Sequence, residues 1–211
     1  MKTNFVISFL FLLILTTIGC DNTVKKEREL VETEFGKKYT ENKSISVELA
    51  LEDFKDWRSL LARTQRIACN DSLPKITLKT DTELKTVYFH NPCWERFACI
   101  LIKEKNTIKV HNDSIGKFYE DLYPLDSLFP ILIRDLENNG KDQSLSDSPD
   151  KLLIYISYDK NGFENLPETL DKLTRAYELI SNKTDISIWL DQKVDIAPPP
   201  PPPLLEEPDK W

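Results

Sequence analysis

Leu152-Leu153-Ile154-Tyr155-Ile156-Ser157-Tyr158 is a continuous run of apolar and β-forming side chains. A run without polar alternation predicts a strand covered on both faces, and therefore a central one. Asp159-Lys160-Asn161-Gly162 follows as a turn. Pro167 then suits the first turn of a helix, where its missing N–H costs nothing. Leu166, Leu170, Leu173, Ala176, Tyr177 and Ile180 mark one apolar face at helical period, and Ile186, Ile188 and Leu190 alternate as a closing strand. Strand, helix and strand at this spacing form a βαβ unit, which crosses over right-handed in nearly all known cases.

Upstream, Leu125, Leu128, Phe129, Leu132, Ile133 and Leu136 keep a 3.6-residue period, so a helix is predicted over Leu125 to Asn138. Asn138-Asn139-Gly140 ends it with residues that tolerate a left-handed cap, and a polar loop runs from Lys141 to Asp150. Ile76 to Leu78, Thr86 to Phe89, Phe97 to Lys103 and Asn106 to His111 read as short strands. The last two predict a hairpin closed by the polar turn Lys103-Glu104-Lys105-Asn106. Phe54, Trp57, Leu60, Leu61 and Ala68 predict a helix from Leu51 to Ala68, stopped by Asn70-Asp71-Ser72 and Pro74. Residues 45–50 alternate like a strand but adjoin that helix, and both readings stay open. The expectation is one small α+β domain over residues 45–192.

A charged stalk is expected before this domain, over residues 20–44, with a weakly amphipathic helix from Val24 to Tyr39. Ahead of the stalk lies Met1-Lys2-Thr3-Asn4, an apolar run from Phe5 to Leu15 interrupted only by Ser8, and Thr16-Thr17-Ile18-Gly19-Cys20. A charged start, a short apolar core and small residues at the exit predict a signal peptide over residues 1–19. The apolar stretch falls short of the roughly 20 residues that span a bilayer. A cysteine at the exit resembles the signal of bacterial lipoproteins, in which that cysteine is lipidated and becomes the first residue of the mature protein. That resemblance implies a membrane anchor at Cys20. It also implies a location in a bacterial cell envelope, on the inner or outer membrane, with the domain in the periplasm or at the cell surface.

After the domain, residues 193–211 form a proline-rich tail. Pro198 to Pro203 are six consecutive prolines, followed by Leu204, Leu205 and a terminal Trp211. Such a run adopts polyproline II at about 3.1 Å per residue and reads first as a stiff spacer. The second reading is a ligand for an aromatic-lined groove, with Pro198, Pro203, Leu204, Leu205 and Trp211 as its contacts.

The chain carries 28 Lys+Arg against 35 Asp+Glu, and the segment 1–19 contains one of those basic residues and no acidic one. An acidic protein of this kind is unsuited to nucleic acid, whose binding rests on neutralising phosphates with Lys and Arg. Five glycines in 211 residues argue against Gly-rich phosphate loops. Cys69, Cys93 and Cys99 follow Cys20, and in an exported protein one disulfide among them is expected, as Cys93–Cys99 or Cys69–Cys93. His90, Cys93, Cys99 and His111 have metal-ligand residue types, but their spacing matches no zinc pattern, so no metal and no cofactor are expected. No serine sits in a G-x-S-x-G elbow and no acid/base carboxylate pair stands out, so no catalytic residue is assigned and the chain reads as a non-enzyme.

The order hairpin, helix, buried strand, helix, strand over residues 97–190 resembles the periplasmic domain of the ExbD/TolR biopolymer transport family. Ile154 to Lys160 is similar to that family's strand ending in Ala-Asp-Lys, and a helix carrying Thr169-Leu170-Asp171-Lys172-Leu173 follows. Ile108-Lys109-Val110-His111-Asn112 stands where the family has a strand reading Val-Asn or Ile-Asn. The family carries a proton-responsive Asp in its membrane helix, whereas Phe5 to Gly19 holds no acidic residue. A carboxylate in lipid is costly and hence functional, so the resemblance implies the fold and a binding surface without the proton-driven step. The expected function is a non-enzymatic envelope lipoprotein that binds an envelope protein or the peptidoglycan. The alternatives are a small-molecule or metal-binding lipoprotein and, third, a hydrolase.

Overall fold

Leu153–Ser157 forms strand β8, and both of its edges are taken by parallel neighbours: β5 (Thr107–His111) on one side and β9 (Ser187–Leu190) on the other. The computed structural model describes residues 30–37, 45–80, 82–96, 101–117 and 121–192. Cys20, Cys99, Pro198, Pro203, Leu204, Leu205 and Trp211 lie outside these residues. Strands β6 (Ser114–Lys117) and β7 (Tyr123–Pro124) complete a five-stranded sheet of order β7-β6-β5-β8-β9. Helix α2 (Leu128–Leu136) and helix α3 (Leu166–Ser181) pack on each other. Their Leu132, Leu136, Leu170 and Leu173 share one core with Ile108, Val110, Ile154, Ile156, Ile188 and Leu190 from the sheet. The βαβ unit β8–α3–β9 is as the sequence predicts, and Asn182 closes α3 in the left-handed conformation at φ 55°.

A second sheet has the order β1-β4-β3-β2, with β1 at Val31–Phe35, β2 at Ser46–Glu48, β3 at Leu73–Lys79 and β4 at Glu83–Tyr88. Helix α1 (Trp57–Cys69) lies against β3. Side chains of this half (Phe35, Leu60, Ile76, Val87, Phe89) belong to the same core cluster as those of the first sheet, so the chain is a single small α+β domain.

Three expectations are corrected. The run from Phe97 to Lys103 is not the hairpin partner of β5. That partner is β6, reached through Asn112 at φ 51°, and β8 fills the other edge, so no edge of β5 is left for a further strand. Residues 97–100 lie outside the description, and 101–103 carry no strand. Val31–Phe35, expected in a solvated stalk helix, is a strand paired in parallel with β4, and its Phe35 is fully buried. The alternation of Val31, Thr33 and Phe35 overrides helix propensity because β4 offers an open edge. Finally, α1 begins at Trp57 rather than Leu51. The Asp56 side chain accepts from the Ser59 N–H, Ser59 Oγ accepts in return from the Asp56 N–H, and this reciprocal cap sets the start.

The two sheets are stitched along the free edge of β9. The His90 N–H donates to the Ile188 carbonyl at 3.0 Å, and the Asn91 side chain brackets Leu190, accepting from its N–H at 3.0 Å and donating to its carbonyl at 2.6 Å. Asn91 thus does with its amide what a neighbouring strand does with its backbone. Gly36 joins the same seam. Its N–H donates to the Thr184 carbonyl at 2.7 Å, its φ is +79°, and a Cβ there would lie 2.7 Å from the Tyr88 carbonyl oxygen.

One charge pair is buried under α2. Lys117 Nζ is 2.6 Å from Asp135 Oδ1 and also donates to the Lys105 carbonyl, while the Ser146 N–H donates to the same carboxylate oxygen at 2.9 Å. This pair pins the polar loop after α2 to the sheet. Removing one partner of such a pair typically costs about 3–5 kcal/mol, because the other charge stays buried.

Candidate ligand-binding groove

Helix α1 buries Trp57, Leu60, Thr64 and Ile67 and turns a second stripe, Arg58, Leu61, Ala62 and Gln65, toward a hollow. The spacing of these four places them one above another on a single helix face. They form one wall of a groove of about 620 Å³ whose far wall is Asn91, Trp94 and Glu95 and whose floor is Leu190, Asp191 and Gln192. A narrower mouth of about 340 Å³ continues it past Asp56, Trp57, Tyr158 and Lys160. The groove therefore sits at the carboxyl ends of the parallel strands β8 and β9, the end at which open α/β sheets bind ligands.

Three contacts hold its floor in place. The Trp57 indole N–H donates to the Asp191 carbonyl at 2.9 Å, the Asp191 N–H donates to the Ile156 carbonyl at 2.9 Å, and the Trp57 N–H donates to the Lys160 carbonyl at 3.1 Å. The Cys69–Cys93 disulfide links the last residue of α1 to the residue before Trp94, so a covalent bond ties the two walls together. Of the two pairings open in the sequence, this is the one formed, and Cys99 is not part of it. The bond also consumes the Cys93 thiolate that a zinc site with His90, Cys99 and His111 would need. His90 Nε2 is hydrogen-bonded to the Gly36 carbonyl instead.

The groove brings charged and aromatic side chains together. Burial holds the Asp191 carboxyl above the usual carboxylate range, opposed only by the Gln192 N–H at 2.7 Å, and Asp191 makes no salt bridge among the described residues. Arg58 makes no salt bridge among them, but its charge adds to the Ser59 N–H in holding the Asp56 carboxyl below the usual range. A half-buried carboxylate with a raised pKa in a cleft is a group of the kind that marks functional sites. Trp94 is 39% exposed and stands edge-on to Trp189 with ring centroids 5.8 Å apart; Trp189 in turn stands edge-on to Tyr155 at 5.6 Å. Burial, and then the Asp191 charge, push the Tyr155 hydroxyl up to about 12.

Serine, histidine and aspartate do meet elsewhere, at the ends of β5 and β8. His111 Nδ1 is 3.0 Å from Ser157 Oγ, and its Nε2 is 3.6 Å from Asp159 Oδ1. Ser157 is 8% exposed and registers directly opposite His111 in the sheet, so its hydroxyl faces the histidine and the neighbouring Val110 carbonyl rather than a cleft. A nucleophile needs open approach to its substrate, and this trio instead ties two strand ends together.

Sequence reasoning named Cys69 and Cys93 only as disulfide candidates, and it missed Arg58, Gln65, Trp94 and Asp191 as groove residues. The stripe at 58, 61, 62 and 65 is visible as a pattern in the helix, but its meaning depends on what faces it. Compared with family models, with curated proteins and with solved structures, the chain matches none.

Proposed function

We propose that this protein is a non-enzymatic, lipid-anchored component of a bacterial cell envelope, and that the groove between α1 and the ends of β8 and β9 binds a cell-wall polymer. The observation that carries this reading is the combination, in one open groove, of exposed Arg58, desolvated Asp191 and exposed Trp94. Peptide-bridged glycans present carboxylates for a guanidinium, ammonium groups for a carboxylate and sugar faces for an indole, so each feature has a counterpart. A groove open at its ends suits a chain rather than a small enclosed molecule. The lipid anchor at Cys20 would hold this groove near the membrane, and the lack of an acid in Phe5 to Gly19 fits a passive binder. The element order from β5 to β9 supports an ExbD/TolR-like domain serving as that binder.

Co-sedimentation with isolated peptidoglycan tests the assignment. The native protein should pellet with the polymer, and Arg58→Ala and Trp94→Ala should each lower the bound fraction about tenfold while leaving the melting temperature within a few degrees. Equal pelleting of all three proteins, or none by the native one, would sink the polymer reading. Recovery of a single envelope protein by crosslinking from the groove would then replace it.

A further inference from the structure

We infer that the groove's aromatic wall is a dock for the chain's own proline run, Pro198 to Pro203, so that the tail and an outside ligand compete for Trp94. This rests on the groove being a binding site, and not on the outside ligand being a cell-wall polymer. The tail leaves the fold at the groove itself. Strand β9 ends at Leu190, and Asp191 and Gln192 form the floor of the groove beside Trp94, so the tail departs from within the site it would fill. Five residues, 193–197, separate Gln192 from Pro198. Extended, they reach at most about 18 Å. Trp189 lies three residues back along β9 from Gln192, which is about 10 Å of strand. The linker is long enough to turn and lay the prolines over the aromatic row.

The aromatic surface also matches the rod. Six prolines make about two turns of polyproline II and about 19 Å of length, and such rods dock on exposed aromatic rings in shallow grooves. Trp94, Trp189 and Tyr155 form a continuous row of edge-to-face rings, with Trp94 the most open and Trp189 showing only 9% of its surface. The row stands between two hollows, the groove on the Trp94 side and a cleft of about 560 Å³ on the Trp189 side. Among the described residues the ring pair borders both hollows, which gives a rod a path across it. Polyproline II is stiff before binding, so little conformational freedom is lost on docking.

Tethering favours the docked tail. A short linker holds its ligand at an effective concentration of millimolar order, so a tail whose free peptide binds at about 0.1 mM would occupy its own groove about ten times as often as not. An outside ligand must then displace it, and its apparent affinity falls by the same factor.

The test uses full-length protein in detergent and a fluorescent peptide of residues 193–211 as the probe. Three proteins are titrated: native, a variant with Pro198→Ser through Pro203→Ser, and that variant with Trp94→Ala added. The six-serine protein should bind the peptide about tenfold tighter than the native one, because its own tail no longer competes. Adding Trp94→Ala should abolish binding with the far-UV spectrum unchanged, and Trp94→Phe in its place should restore part of it. Equal affinity of the native and six-serine proteins, no binding by either, or indifference to Trp94 would each overturn the dock. An affinity gap that grows with protein concentration would place the tail in a second copy's groove and overturn the assignment within one chain. Peptidoglycan co-sedimentation is read separately, so either result can fail alone.

Discussion

Asp191 sits against a stability gradient. Burial favours its protonated form, so its folded pKa lies above the unfolded value near 3.8. The folded state then binds more protons than the unfolded one over that window. Whatever stability this confers is present below the unfolded pKa and is lost as pH rises through the folded value. At neutral pH the ionised carboxylate is therefore a net cost, which suits a group held ready for a ligand. Asp191→Asn should raise resistance to urea at pH 7, and the gap over the native protein should close near pH 3. A gap of the same size at both pH values would mean that titration of this carboxylate is not the cause. Arg58 and Glu95 line the same groove and are unchanged in the variant, so they contribute equally to both arms. Asp171 behaves in the opposite sense. Burial pushes it up, but the Lys85 hydrogen bond and the Lys85 and Arg175 charges hold it below the usual range, and its contribution is lost in acid.

Among the elements, the disulfide between α1 and the Trp94 loop has a structural and a functional side. Its sequence separation of 24 residues corresponds to about 3 kcal/mol of lost unfolded-state entropy in the loop-closure model. Replacing both cysteines with serine should lower unfolding free energy by about that amount. The change should also raise amide exchange in residues 89–96 and the last turn of α1 before the rest of the domain. Uniform exchange throughout would show that the bond stabilises the whole fold and does not specifically hold the groove wall. Element-level reading of the sequence did well where a segment carries its own signal. The run Leu152 to Tyr158 and the face Leu166 to Ile180 are local patterns, and they led directly to β8 and α3. It went wrong at β5, because strand propensity in Phe97 to Lys103 says nothing about which edge is free. The stalk misread has the same source: Val31–Phe35 is a strand only because β4 is beside it.

For the whole molecule, the proposed anchor and the groove define separate tests. The exit sequence Ile18-Gly19-Cys20 leads to the expectation that palmitate supplied to cells labels the native protein and that Cys20→Ser abolishes the label. The same substitution should move the protein from the membrane fraction to the soluble one, since stable attachment needs more than one acyl chain at that residue. Labelling that survives Cys20→Ser would remove the anchor from this account. No described helix is long and apolar enough to cross a membrane. The folded region is one domain because the free edge of β9 is closed by residues from the other half, with Asn91 and Leu190 lying 99 positions apart.

By itself the sequence determined the βαβ unit, the α+β class and a helix within Leu125 to Asn138, which forms as Leu128–Leu136 after a 3-10 turn at Leu125–Ser127, because hydrophobic period, turn residues and caps are properties of neighbouring residues. It also carries the apolar run ending in Ile18-Gly19-Cys20 and the six consecutive prolines as compositional facts. Only the tertiary structure decided that β6 pairs with β5, that β1 belongs to the domain and that Cys69 is joined to Cys93. The groove at Arg58, Trp94 and Asp191 was decided there as well. Each of these depends on which edges and faces meet after the chain has closed long loops, and that is settled by the packing of one shared core rather than by any segment's own preference.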